Sequence, residues 1–150
     1  MNDQTKLLEL TKLFLQSVHN NKIVTYRPYP WQMEFHAAGS DHPERMLMAA
    51  NRVGKTQGAA AEVSYHLTGE YPKWWKGRRF EKPTLVWTGS PTNETSKDIV
   101  QNELVGDLGE SLGTGWVPRS RIIGKPTTRQ AGVKNVIDSF KVRHVRRAEP

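Results

Sequence analysis

The stretch from Ala49 to Thr56, AANRVGKT, carries the most specific chemistry in this 150-residue sequence. Gly54, Lys55 and Thr56 match the second half of the phosphate-binding pattern G-x-x-x-x-G-K-[ST], and Ala49 stands where the first glycine is usual. Each residue type has a physical reason. Gly54 lets the backbone approach phosphate oxygens, while successive N–H groups and a helix N-terminus hold the negative charge. Lys55 reaches the β- and γ-phosphates, and the Thr56 hydroxyl is a ligand for Mg²⁺. The first position shapes only the turn, so alanine can substitute there if its φ stays negative. Arg52 can lay a guanidinium against the γ-phosphate; the competing reading is a solvent-facing arginine. Lys55 and Arg52 are therefore the candidate catalytic residues. Ala49, Ala50, Asn51, Arg52, Val53, Gly54, Lys55 and Thr56 form the candidate nucleotide-binding loop.

Upstream, YRPYPWQMEF places Gln32 some 20 residues before the lysine and among aromatics. A glutamine amide can pair with N6 and N7 of adenine, and Tyr26, Tyr29 or Trp31 could stack on the ring. This is the layout of an adenine-reading motif in helicase-like ATPases, and it favours ATP over GTP. A glutamine on an ordinary helix is the competing reading.

The net charge of +7 is unevenly placed. Residues 1–117 hold 13 Lys/Arg against 13 Asp/Glu, whereas residues 118–150 hold nine basic residues against Asp138 and Glu149. A basic segment of this kind suits a polyanion, most often nucleic acid, and Arg119, Arg121, Lys125 and Arg129 are its candidate contacts. A solvated basic face explains the charge equally well. The chain has no cysteine, so disulfides and thiolate metal sites are excluded. His19, His36, His42, His66 and His144 are scattered without metal-ligand spacing. No apolar run approaches the roughly 18 residues of a membrane span. The charged N-terminus lacks a signal-peptide pattern, so a cytosolic location is expected.

The elements that must position the loop follow from periodicity. Leu7, Leu10, Phe14 and Val18, with Leu13 beside them, predict a helix over Asp3–His19. Pro30 can open a short helix that Gly39 stops. RMLMAA at 45–50 suits a buried strand, and 54–67 reads as an alanine-rich helix with Gly69 as its stop. TLVWT at 84–88 is a second short strand, followed by a helix capped by Thr92 or Asn93 and running to about Val105 or Leu108. Beyond Gly109 short β-like pieces are expected at 121–123 and 133–145. Phe140, Val142 and His144 alternate there with Lys141, Arg143 and Val145. Strand–helix–loop–strand–helix predicts an α/β unit with parallel strands and an antiparallel basic appendage.

Taken in order, YRPYPWQMEFH, AANRVGKT, LTGEYPKWWKGRRF and TGSPTNETSKDIVQNELVG resemble the large terminase subunit of tailed bacteriophages, from about Tyr26 to His144. The resemblance implies a partial RecA-like P-loop NTPase core with parallel strands, an N-terminal helix and a basic β-rich C-terminal segment. It divides the chain into a helix and linker at 1–25 and a partial ATPase domain at 26–150. It implies ATP and Mg²⁺ as cofactors, with Lys55 and Thr56 in the phosphate and metal roles, Gln32 in the adenine role and Arg52 as the loop arginine. It further implies duplex DNA as substrate, the small terminase subunit and the portal protein as partners, and oligomers only in the complete motor. The setting implied is the cytoplasm of a bacterial host, with no membrane association.

The sequence also departs from that family's pattern. A Walker B strand ending in Asp-Glu, a coupling motif and a nuclease with clustered acids have no counterpart here. NVIDSF offers only Asp138. The similarity breaks near KVRHV, so the expectation is a truncated terminase, such as a prophage remnant or a split gene, whose status as an enzyme stays open. Two other readings compete with it. One is a helicase-like ATPase fragment. The other is a non-catalytic basic DNA-binding or assembly fragment using residues 118–150, with Trp74, Trp75, Arg78 and Arg79 as further contacts. For the tryptophan pair, packing in the core is favoured over base stacking.

Overall fold

The computed structural model describes residues 3–19, 21–109, 111–128 and 133–145. Helix α1 (Asp3–His19) takes the expected range. Its apolar residues Leu7, Leu10, Leu13 and Phe14 nevertheless lie more than half exposed. A short α2 (Lys22–Thr25) follows and buries Ile23. Helix α3 (Pro30–Ala38) begins on Pro30, whose fixed φ and missing N–H suit a first helical position. It buries Gln32 and His36, four residues apart and so on one face.

Helix α4 (Lys55–Thr68) is the central element. Small residues on it, Gly58, Ala60, Ala61 and Ser64, are buried and let neighbouring groups approach closely. Tyr65 is fully buried and meets Trp75 edge-on at a ring separation of 5.3 Å. Tyr26 packs edge-on against Trp116 at 5.0 Å. Trp75 is buried and its indole N–H donates to the carbonyl of Arg78 at 3.0 Å, so the tryptophan pair serves packing. Arg78 and Arg79 lie over the rings of Phe80 and Tyr71.

The helix expected after Thr92 forms in three pieces: α5 (Asn93–Thr95), a π-helical stretch (Ser96–Gln101) and α6 (Asn102–Leu104). The Thr92 side chain accepts the Thr95 N–H at 3.1 Å, as an N-cap should. A hairpin of β1 (Ile122–Thr128) and β2 (Ile137–Val142) completes the chain, antiparallel, with Ile122 opposite Val142 and Thr127 opposite Ser139. Phe140 and Val142 pack toward the core, while Ser139 and Lys141 face outward. That is the alternation the sequence carries.

This hairpin is the one sheet among the described residues. The segments at 45–50 and 84–88 carry no strand ladder. A strand exists only when a neighbour takes its backbone N–H and C=O groups, and neither segment has one among the described residues. Met46, Met48, Leu85 and Trp87, at alternate positions, are each about four-fifths exposed or more.

Candidate functional site

The loop before α4 has the backbone of an anion cradle. Gly54 is left-handed at φ +88°, and Arg52 also takes a positive φ of +61°. Alternation of such residues with ordinary helical ones turns successive N–H groups toward one concavity. At Gly54 a side chain would be strained by φ, and its Cβ would come within 3.1 Å of the Gln32 amide nitrogen. Lys55 opens the helix and folds back, its Nζ donating to the carbonyl oxygens of Ala49 at 2.6 Å and Ala50 at 2.7 Å. Ala49 and Ala50 therefore act through their carbonyls, as rests for the lysine.

A cavity of about 780 Å³ opens on this loop. It is lined by residues 51–57 on one side and by Tyr29, Pro30 and Trp31 on the other. Of the candidate loop residues, Asn51, Arg52, Val53, Gly54, Lys55 and Thr56 line it, and Ala49 and Ala50 do not. Two of the three candidate stacking aromatics, Tyr29 and Trp31, line the cavity wall. Tyr26 is instead buried, and its hydroxyl lies 3.3 Å from His36 Nε2. Gln57 is a lining residue that the pattern alone did not point to.

Gln32 sits behind the loop rather than on the cavity wall. It is 2% exposed, its Oε1 accepts the Tyr29 N–H at 2.8 Å, and its Nε2 donates to the Gly54 carbonyl at 2.9 Å. Both ends of the amide are engaged within the chain, and pairing with adenine would require exchanging these bonds. In this arrangement the glutamine ties the aromatic wall to the loop before α4.

Behind Gln32 lies a charge network that sequence reasoning missed. Glu62, buried on α4, is bonded by Arg45, and its carboxylate lies 2.7 Å from His36 Nδ1 and 3.5 Å from His66 Nε2. Burial alone would raise its pKa. Hydrogen bonds from His36 and His66 and the bond and charge of Arg45 outweigh burial and hold the carboxyl well below the usual carboxylate range. The Tyr26 hydroxyl is pushed up to about 12, by burial first and by the Glu62 charge second. Only the Glu62–His66 spacing of four was readable from the sequence. The network fixes α3, α4 and Arg45, at the start of segment 45–50, relative to one another.

Chemically, the cavity offers backbone N–H groups, a lysine, an arginine and a threonine hydroxyl, and no carboxylate among its lining residues. That donor set fits a polyphosphate. Lys55 and the loop N–H groups would hold the phosphates, and Thr56 would supply a hydroxyl to Mg²⁺, which adds charge neutralisation when bound. No group of three or more His, Asp or Glu residues suited to a metal ion occurs among the described residues.

The basic segment is arranged differently. Arg121 is paired with Glu70 and half-buried, so its charge is matched within the fold. Arg119 and Lys125 are exposed. Arg129 lies outside the described residues.

Over 156 aligned positions, covering 95% of its length, the chain is 36% identical to the large terminase subunit of Salmonella phage P22. The chain is related to the large terminase subunit. It spans 31% of that relative's length. No protein-family model matches it, and no solved structure does. No described helix of this terminase relative is long and apolar enough to cross a membrane.

Proposed function

We propose that this chain binds Mg–ATP at the loop of residues 49–56 and contributes the nucleotide-binding part of a phage DNA-packaging motor that acts on duplex DNA. The observation that carries the reading is the cradle itself. A left-handed Gly54 precedes α4, Lys55 rests on two loop carbonyls, and a cavity large enough for a nucleotide opens between them and an aromatic wall. The relation to a large terminase subunit supplies the biological setting. In the complete motor, segments 45–50 and 84–88 act as two strands of a parallel RecA-like sheet that further polypeptide completes. Their alternating exposed apolar residues support that role. The small terminase subunit and the portal protein are the partners of such an assembly, in the host cytoplasm.

Within the chain, Lys55 neutralises phosphate charge, the loop N–H groups orient it, and Arg52 stands on the cavity wall where a third positive group can act. A titration of purified protein with fluorescent ATP and Mg²⁺ tests the reading. Wild type is expected to bind, and Lys55→Ala to lose most of that affinity. Equal binding by the two proteins would remove the loop from the nucleotide site.

A further inference from the structure

We infer that the outward face of the β1–β2 hairpin is a duplex-DNA contact surface, with Lys125, Lys141 and Arg143 as its phosphate-binding residues. The inference rests on the packaging-motor reading and adds to it the surface that touches the nucleic acid. It begins from the register. Ile123 stands opposite Lys141 and Thr127 opposite Ser139, so these side chains share the outward face, while Ile122 and Val142 form a pair turned inward. Arg143, just beyond β2, continues the outward series Ser139, Lys141, Arg143, and its N–H bonds the carbonyl of Arg121 at 2.7 Å. Lys125 lies in the irregular stretch of β1 between Ile123 and Thr127 and is exposed. None of these three cations takes part in an ion pair among the described residues. The acid of β2, Asp138, is exposed and stands at the register shift between the Thr127–Ser139 and Thr128–Ile137 pairs, beside the Thr127–Ser139 end of this face.

Their surroundings separate these cations from the rest of the basic segment. Arg121 is spent on Glu70, and it helps seat the hairpin rather than extend its charged face. The face also carries hydroxyls: Thr127 Oγ1 and Ser139 Oγ lie 2.8 Å apart, and such groups serve as secondary phosphate partners. A two-stranded ribbon is one of the two elements that fit the major groove of B-form DNA.

The seat of the ribbon is firm. Gln101, buried in the π-helical stretch, donates to the carbonyl of Asn135 at 3.1 Å and accepts the N–H of Ile137 at 2.8 Å. The Val145 N–H reaches the carbonyl of Thr68, the last residue of α4, at 2.7 Å. The ribbon is thereby anchored at one end of α4 and the phosphate loop at the other, about 20 Å apart by the rise of a 14-residue helix.

The contacts are lysine and arginine to backbone phosphate, so binding should be insensitive to sequence and steep in salt, with about 0.9 of log–log slope per neutralised phosphate. The experiment is fluorescence anisotropy of a labelled duplex across a salt series. It compares wild type, the triple variant Lys125→Gln/Lys141→Gln/Arg143→Gln and a charge-matched control, Lys6→Gln/Lys12→Gln/Lys73→Gln. The ribbon variant is expected to lose at least tenfold in affinity at low salt and to flatten the slope by two to three phosphate equivalents, about 0.9 each. The control should stay within twofold of wild type. Unchanged nucleotide binding by the ribbon variant shows that its fold is intact. Acetylation of wild-type lysines, read by mass spectrometry, gives an answer that does not depend on the variants: duplex should protect Lys125 and Lys141 selectively. If wild type binds duplex and the ribbon variant binds equally, or the two lysines are unprotected, this surface is wrong and the packaging reading stands. If wild type binds no duplex while still binding ATP, the DNA part of both readings falls. Polyglutamate competing as well as duplex would reduce the face to a general charged patch and overturn the inference.

Discussion

At its N-terminal end α4 starts from a loop whose shape is set locally. Two positive φ values, a lysine resting on neighbouring carbonyls and one amide from Gln32 hold it, and an open cavity lies against it. At its C-terminal end the same helix is held by long-range contacts: Glu70 with Arg121, the Thr68 carbonyl with Val145, and the Leu67 carbonyl 3.2 Å from His144 Nδ1. Gly69 closes the helix at φ +75°, where a Cβ would come within 2.8 Å of the His144 ring. One end is exposed and loosely tied, as a site that must admit a ligand requires. The other is packed and cross-tied, as the seat of an appendage requires. Between them, Glu62 locks the helix to α3 and Arg45.

Removing that lock should give the largest effect. Glu62→Ala leaves the buried His36 and the part-buried Arg45 without their partner, a loss that costs up to about 3–5 kcal/mol. Urea unfolding is expected to show this, and a change below about 1 kcal/mol would mean that the network adds little to the fold. The pH dependence has a definite sign. The carboxyl binds protons less readily when folded, so its contribution is complete above its ordinary pKa of 4.5 and is lost as the pH falls below that value. Glu62→Gln should therefore flatten the acid limb of the stability curve.

Gln32→Ala attacks the loop end. Two part-buried hydrogen bonds disappear, worth about 1–3 kcal/mol in loop order, so ATP and GTP affinities should fall together. Loss of ATP binding with GTP spared would instead show the glutamine reading the base. At the opposite end, Gly69→Ala puts a side chain at a left-handed position, costing about 1–2 kcal/mol before the clash with His144. Its melting temperature should drop while nucleotide affinity stays within twofold of wild type. A matching loss of nucleotide binding would show that the two ends are not separable.

How much of this could be read in advance follows the same division. AANRVGKT announced its own loop because a positive-φ turn running into a helix is a local backbone shape carried by adjacent residues. Phe140 and Val142 against Lys141 announced the faces of β2 for the same reason. The Glu62 network could not be seen, since His36 and Arg45 lie 26 and 17 positions away from it. The engagement of Gln32 with Gly54 was hidden likewise, and Arg121 looked free because nothing near it in sequence reveals Glu70. RMLMAA and TLVWT read as strands from composition, but composition does not name the neighbours that a strand needs.

In phosphate release no difference between wild type and Lys55→Ala is expected. No carboxylate lines the cavity, and loss of a catalytic group typically removes a factor of about 10²–10⁴ in rate. Phosphate release by this chain, with or without duplex DNA, should therefore not rise above that of Lys55→Ala. Lysine-dependent turnover would reveal an acid that the cavity lining does not contain.

The most direct test of the division along α4 is hydrogen–deuterium exchange with and without Mg–ATP. Protection is predicted across residues 49–58 and beside Tyr29 and Trp31, with exchange at β1 and β2 unchanged. Protection that spared the loop and fell on the hairpin would contradict the account, because the nucleotide would then be held at the end assigned to DNA.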